Sequence, residues 1–202
     1  SNSARWNTAV DASKLSSVTV AELLPAAHAQ DIVERRLYDG KGQLSGSIDG
    51  AGYLTAFEYD AAGNLTRQTR YATPLAESAL AGIVSTTPIS LIRPPQNAQG
   101  RTQVSVYDEL GQIISTTDYQ GTRTDYVYDA AGKLISTTVA TGTVEARTQL
   151  VRYDALGRLT AELNAVGAAQ INASLTAVQV EAIWSSYANK HTYDATGRRT
   201  ST

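Results

Sequence analysis

The sequence predicts a mainly β protein built of repeated antiparallel hairpins, and three observations support this prediction. The pattern Tyr-Asp-x-x-Gly occurs six times in 202 residues. In five copies an apolar Leu or Ile follows two positions after the glycine. In four copies another glycine stands fourteen residues after the tyrosine, which leaves room for two turns and two strands of ordinary length in each full unit. A sequence unit that recurs in this way predicts a repeat architecture, so the repeat is interpreted before the individual strands and helices.

Each residue type in the pattern suits one position of a strand–turn–strand unit. Tyr favours a pleated, half-buried strand surface. Asp at the first position of a tight turn can accept a hydrogen bond from the backbone N–H two residues on. Gly supplies the left-handed backbone that a type I turn with a following bulge requires. The predicted structural turn motif therefore consists of Tyr38, Asp39, Gly42, Tyr59, Asp60, Gly63, Tyr107, Asp108, Gly111, Tyr128, Asp129, Gly132, Tyr153, Asp154, Gly157, Tyr193, Asp194 and Gly197.

The residues around the motif predict the return strands and a second set of turns. We expect the apolar residues after the motif glycines to line one buried face: Leu44, Leu65, Ile113, Leu134 and Leu159. The sixth copy has Arg199 at this position. The second turns are expected at Gly52, Gly121, Gly142 and Gly167. Their first positions are Asp49, Asp118, Val139 and Asn164.

This pattern resembles the RHS or YD repeat of large bacterial secreted and surface proteins, toxin-bearing shells and the animal teneurins. The resemblance covers about residues 36–70 and 101–202. It implies a continuous β-ribbon that spirals into a shell, with neighbouring repeats of the same long chain as partners. In toxin-bearing members the shell encloses a C-terminal toxin domain. Self-cleavage in those members uses an Asp-Pro motif. No Asp in this sequence precedes Pro, so the resemblance does not imply self-cleavage for this chain.

Residues 1–37 form a segment that precedes the repeats. The stretch Thr19–Glu22 fits a capping box and predicts a short helix that Pro25 kinks or ends. Residues 32–37 are expected to form a strand that leads into the first motif. The repeat domain then covers residues 38–202.

Two inserts interrupt the repeats, at about residues 72–100 and 168–190. In the first, Thr73-Pro74 predicts a helix start and Leu75–Val84 the helix. The prolines at 88, 94 and 95 predict an irregular passage after it. In the second, Thr176 and Gln179 form a capping box before a helix over 177–189. Its predicted buried stripe is Leu175, Val178, Ala182, Ile183 and Tyr187.

Composition excludes several classes of function. The net charge is −2 with both signs interspersed, which argues against nucleic acid as a partner. No apolar run reaches membrane-spanning length, and there is no cysteine for a disulfide or thiolate site. Methionine is absent even at position 1, and the chain stops five residues after Gly197. We therefore expect a piece of a longer bacterial protein that is secreted or displayed on the cell surface.

The polar residues of the pattern allow functional alternatives. The aspartates could form a calcium ladder or act as catalytic acids, but one carboxylate per turn favours turn chemistry. The tyrosines could form a sugar-stacking platform, although core packing with a bonded hydroxyl is the more ordinary use. His28 and His191 have no second His, Cys or paired carboxylate at ligand spacing. We therefore predict no metal, no cofactor and no enzymatic activity.

The predicted function is mechanical. The chain is expected to be a structural segment of a β-shell or stalk that encloses or presents another domain. The alternative, from a different class, is a carbohydrate- or cell-surface-binding adhesin module. In that case the tyrosine- and arginine-bearing face would take a surface glycan.

Overall fold

A computed structural model describes residues 33–97 and 99–201. Its main feature is an eleven-stranded antiparallel sheet in which the strands follow one another in chain order. The predicted helix at residues 19–22 and His28 lie outside the described residues. The strands are β1 (Arg35–Tyr38), β2 (Leu44–Ile48), β3 (Leu54–Tyr59), β4 (Leu65–Arg70), β5 (Arg101–Tyr107), β6 (Ile113–Thr117), β7 (Arg123–Tyr128), β8 (Leu134–Val139), β9 (Arg147–Tyr153), β10 (Leu159–Leu163) and β11 (Ala188–Lys190).

The predicted fold class is confirmed. A two-stranded sheet of β12 (Thr192–Tyr193) and β13 (Arg199–Ser201) follows the large sheet. The large sheet is open, because β1 and β11 are its outer strands and do not pair with each other. The six motif hairpins share one register feature. In the hairpin of β7 and β8, Val127 pairs with Ser136 but Tyr128 pairs with Leu134, so one extra residue forms a bulge after the turn.

The strand register assigns residues to two faces. Residues directly opposite each other in neighbouring strands point to the same side. We call one side the helix face, which carries Leu54, Thr69, Ser115, Leu150 and Leu163. The other side is the tyrosine face, which carries the motif tyrosines together with residues such as Thr55, Gln68 and Tyr126.

Four short helices pack on the helix face, two at each end of the sheet. Helices α1 (Glu77–Leu80) and α2 (Ile89–Ile92) belong to the first insert, and α3 (Ala165–Ala168) and α4 (Ala177–Tyr187) to the second. The first pair helps to bury Leu37, Ile48, Leu54, Ala56, Tyr71 and Ile89. The second pair helps to bury Ala161, Leu163, Ala168 and Trp184. Strands β5–β8 contribute no residue to either of these two clusters.

The first insert differs from its prediction. Helix α1 has four residues rather than the ten of Leu75–Val84, and Ala76 is its N-cap, without a side-chain capping bond. The backbone at Ala76 is extended, with a ψ of 143°, so the helix begins only after it. The backbone N–H of Leu75 donates to the carbonyl of Gly52 at 2.9 Å, a tertiary contact that joins this part of the insert to the turn after β2. Pro88 precedes α2, so part of the expected irregular passage is helical.

The second insert follows its prediction more closely. Helix α4 has the predicted capping box of Thr176 and Gln179. The predicted buried stripe is right only in part, because Ile183 packs against the core cluster but Val178 is 80% exposed and Trp184 is the buried residue of the helix. Strand β11 begins directly after the helix and pairs Ala188 with Leu163. That pairing orients the last turns of the helix. The spacing of apolar residues within the helix contains no information about this long-range pairing.

The predicted second turn at Gly167 is wrong, whereas Gly142 lies in a turn with a left-handed backbone, as predicted, and only the predicted first position of that turn, Val139, is wrong. Gly167 lies in α3, and the Asn164 side chain accepts a hydrogen bond from its N–H as a helix cap. A Cβ at Gly167 would lie 2.6 Å from Leu163 and 2.7 Å from Tyr187, so this glycine allows close packing rather than a turn. Val139 lies in β8, and the connection to β9 begins at Ala140. The repeat between Tyr128 and Tyr153 is longer than the one before it, so β8 continues to Val139.

Candidate functional site

The repeated motif turns are the candidate functional site, and the meander arranges them in a row. Alternate connections in an antiparallel meander lie at opposite ends of the strands. The turns after β1, β3, β5, β7 and β9 therefore share one edge of the large sheet, which we call the motif edge. The sixth motif turn joins β12 to β13.

The turn at Asp129 shows the geometry that the motif produces. The N–H of Gly132 donates to the carbonyl of Asp129 at 2.9 Å, and the N–H of Asp129 donates to the carbonyl of Lys133 at 2.9 Å. The Asp129 carboxylate accepts from the N–H groups of Ala131 and Lys133, each at 2.9 Å. One oxygen therefore satisfies two backbone donors. The turn chemistry of Asp predicts the first of these bonds but not the second, which comes from the residue four positions on.

The glycines of the six motif turns all have a left-handed backbone. Their φ values run from 77° at Gly111 to 92° at Gly63. A side chain at such a φ is strained, so Gly is the residue that fits best. The structure therefore places all six Asp and all six Gly of the motif in turns of one kind.

Hydrogen bonds to the motif carboxylates lower the pKa of three of them. The Asn64 side-chain amide is the main cause of the lowered pKa of Asp60. The backbone N–H of Arg158 is the main cause of the lowered pKa at Asp154. The hydroxyl of Thr196 has the largest effect at Asp194, where it helps to lower the pKa to about 2. These carboxylates act as charged acceptors that hold the turn closed.

The motif tyrosines form a ladder that joins successive repeats. The Tyr128 hydroxyl donates to the carbonyl of Ile113 at 2.9 Å, which is the apolar residue of the preceding motif. The same bond recurs from four further tyrosines at 2.8–3.0 Å. Those donor–acceptor pairs are Tyr59–Leu44, Tyr107–Leu65, Tyr153–Leu134 and Tyr193–Leu159. Burial is the main cause of a raised pKa at Tyr128.

In three of the motif turns the side chain after the glycine reaches toward the next motif. The Gln112 side-chain amide donates to the carbonyl of Gly132 at 3.2 Å. The Lys133 Nζ lies 5.2 Å from the centre of the Tyr153 ring, and the Arg158 guanidinium lies 4.6 Å from the centre of the Tyr193 ring. This position is not part of the predicted turn motif, although the sequence carries a signal for it. All six copies have a polar side chain there: Gln43, Asn64, Gln112, Lys133, Arg158 and Arg198.

The apolar residues of the motif are half-buried rather than buried. Leu44, Leu65, Ile113, Leu134 and Leu159 are all intermediate in exposure. The bulge places them opposite the tyrosines, for example Leu134 opposite Tyr128. They therefore lie on the tyrosine face, whereas the insert helices cover the helix face.

The described residues contain no arrangement suited to metal binding. No three His, Cys, Asp or Glu side chains within residues 33–97 and 99–201 lie close enough to hold a metal ion. His191 is 6% exposed, and its Nε2 lies 3.8 Å from a carboxylate oxygen of Glu162. Its backbone N–H donates to the carbonyl of Thr160. The motif carboxylates stand in separate turns, each engaged by its own backbone.

A comparison with protein families decides what these turns are. The family described as RHS Repeat matches residues 38–73 and 107–144. Within these two stretches the chain is similar to RHS repeats. Each matched stretch contains two copies of the motif, so the RHS repeats coincide with the hairpins of β1–β4 and of β5–β8. A search of curated proteins found no match.

Solved structures with the same fold extend the RHS comparison. A crystal structure of TcdB2-TccC3-Cdc42 aligns with 87% of this chain at a TM-score of 0.56 and 17% identity. A Photorhabdus luminescens Tc holotoxin pore aligns with 87% at a TM-score of 0.56 and 18% identity. The aligned part is 8% of each of those chains. No described helix of this chain is long and apolar enough to cross a membrane.

Proposed function

We propose that this chain is a structural segment of a large exported bacterial protein, in which it builds part of a β-shell or stalk. The shell or stalk would enclose or present another domain, such as a C-terminal toxin domain. The tyrosine ladder is the observation that carries the proposal. It joins each repeat to the one before by side chain and backbone, and nothing in its geometry requires the series to stop at a set number of repeats.

The fold similarity supports the same proposal. The similar structures include a Tc holotoxin pore, and their chains are far longer than the aligned part. A single-layer sheet that grows strand by strand suits a wall more than a catalytic pocket. In this proposal residues 38–202 are the repeat domain, and the inserts brace the wall from one side.

Limited proteolysis of the full-length protein tests whether the segment belongs to an enclosing wall. We expect any enclosed domain to resist trypsin while the repeats are intact. Gly132→Asp should open the wall and expose the enclosed domain to cleavage at protease concentrations that leave the wild type intact. Gly82→Ala is the matched control, because Gly82 has no positive φ and open space around it. Equal cleavage of the second domain in wild type and both variants would contradict an enclosing role.

The adhesin alternative stays a prediction. Five of the motif tyrosines use their hydroxyl for a backbone bond, which ties them to the wall rather than to a ligand. A glycan array with the isolated chain tests this alternative. Saturable binding to one glycan class that is lost in Tyr119→Ala would favour it, since Tyr119 is 44% exposed.

A further inference from the structure

Two arginines on the tyrosine face stand side by side at the end of the sheet opposite the motif edge. Ser47 pairs with Thr55, Thr55 with Arg70, and Arg70 with Arg101, so these four residues form one row across β2–β5. The row lines the floor of a hollow of about 320 Å³. Tyr119 also lines this hollow and is 44% exposed.

The charges in this row are not balanced within the hollow. Like charges directly opposite each other in neighbouring strands destabilise a sheet. Asp49 is the carboxylate that lines the hollow, and its second oxygen lies 3.4 Å from Arg70. Its first oxygen accepts from the N–H groups of Ala51 and Tyr53, so Asp49 is held in its own turn. Arg101 has no ion pair with any carboxylate among the described residues.

The other groups in the hollow can donate hydrogen bonds. Gln68 presents an amide, and Ser47 and Thr55 present hydroxyls. A second hollow of about 300 Å³ adjoins the first and shares Arg70 and Arg101 with it. A guanidinium is planar and can hold a carboxylate or phosphate through two parallel bonds. Two guanidiniums against the single carboxylate of Asp49, with neutral donors beside them, leave a net positive charge that is complementary to a negatively charged group.

We propose that Arg70 and Arg101 form an oxyanion-binding site that takes the carboxylate or phosphate group of a ligand. A bound oxyanion would sit between the two guanidiniums and neutralise the charge that they place opposite each other. Gln68 and the hydroxyls of the row would complete its hydrogen bonds. This site is separate from the motif edge and does not depend on whether the chain builds a shell.

Nuclear magnetic resonance on the full 202-residue chain with ¹⁵N-labelled arginine tests the site directly. Sodium phosphate is titrated at pH 7, with sodium chloride holding the ionic strength constant, and sodium acetate forms a second arm. We expect saturable shifts of the Nε–H signals of Arg70 and Arg101. Saturation by acetate alone would identify a carboxylate ligand, saturation by phosphate alone would identify a phosphate group, and saturation by both would mean that the site takes either oxyanion.

Variants separate binding from a structural role. Arg101→Gln should weaken binding about tenfold, since it removes one charged hydrogen-bonding partner. It should also leave the melting temperature of the anion-free chain equal or higher, because it relieves the repulsion with Arg70. Arg147→Gln is the matched control, because Arg147 also begins a strand but pairs with Val139. Linear shifts at all arginines, or wild-type affinity in Arg101→Gln, would overturn the proposal.

Discussion

The two ends of the large sheet and its middle are built from the same repeat but are stabilised differently. At the ends, insert helices cover the helix face, and Leu54 and Leu163 are both fully buried. In the middle, on the same face, Val106 is 45% exposed and Val127 is 52% exposed. The motif is equally regular in both regions.

The repeat and the core are therefore separate contributions to stability. An isolated hairpin is at best marginally stable in water. The middle hairpins lack a hydrophobic core among the described residues, so their stability depends on the strand ladder, the closed turns and the tyrosine bonds. The ends add apolar burial to those same elements. Substitutions in the two regions can measure the two contributions apart.

Removal of core volume should distinguish the ends from the middle most strongly. Leu163→Ala should cost about 2–5 kcal/mol of unfolding free energy, because it leaves a cavity at a fully buried site. Val127→Ala removes a side chain that is 52% exposed and should cost well under that. Denaturant unfolding followed by circular dichroism measures both. Equal losses would mean that the middle has a core of its own.

A motif glycine in the middle should be the next most sensitive position. Gly132→Ala should cost about 1 kcal/mol or more, because φ is positive there. The added Cβ would also lie 3.1 Å from the Gln112 amide nitrogen. Gly82→Ala should be neutral or stabilising, and the two melting temperatures give the comparison.

A double variant divides the cost at Gly132 into two parts. Gln112→Ala removes the side chain that a Cβ at Gly132 would crowd. In the double variant, the part of the lost unfolding free energy that comes from this crowding should therefore be regained, and the part that comes from the strained backbone should remain. Strict additivity of the two changes would show that Gln112 does not crowd this turn.

The tyrosine ladder should contribute a smaller amount at each repeat. Tyr128→Phe removes the donor to the Ile113 carbonyl and should cost about 0.5–1.5 kcal/mol. Tyr119→Phe, at a side chain that is 44% exposed, should change the unfolding free energy little. Amide exchange of β6–β8 should quicken in the first variant alone. An unchanged exchange rate would show that the ladder does not stabilise the middle of the sheet.

Acid should have the smallest and most local effect. The folded pKa of Asp194 is about 2, below its ordinary value of 3.8. A lowered folded pKa gives stability that is present above the ordinary value and lost as the pH falls toward the folded one. The melting temperature should therefore decline between about pH 4 and pH 2, and Asp194→Asn should flatten part of that decline. A decline of the same size in the variant would assign acid sensitivity to other groups.

Features that depend on neighbouring residues can be predicted from the amino-acid sequence. The strand–turn–strand hairpins follow from a few consecutive positions, as in Tyr128–Leu134, where turn chemistry and pleat agree. The capping box of α4 is equally local, since Thr176 and Gln179 are three residues apart. Local rules predict such elements because the interacting groups are fixed by the chain itself.

Features that depend on distant groups follow only from long-range contacts in the folded chain. The Tyr107 hydroxyl bonds to the Leu65 carbonyl across 42 positions, a distance that the first insert sets. The Leu75 N–H bonds to the Gly52 carbonyl across the first insert, and Gly167 lies so close to Leu163 and Tyr187 that a Cβ would not fit. The choice of the helix face for both inserts follows from where apolar side chains could be buried. These outcomes depend on which long-range contacts are the more favourable, and a local pattern does not contain that information.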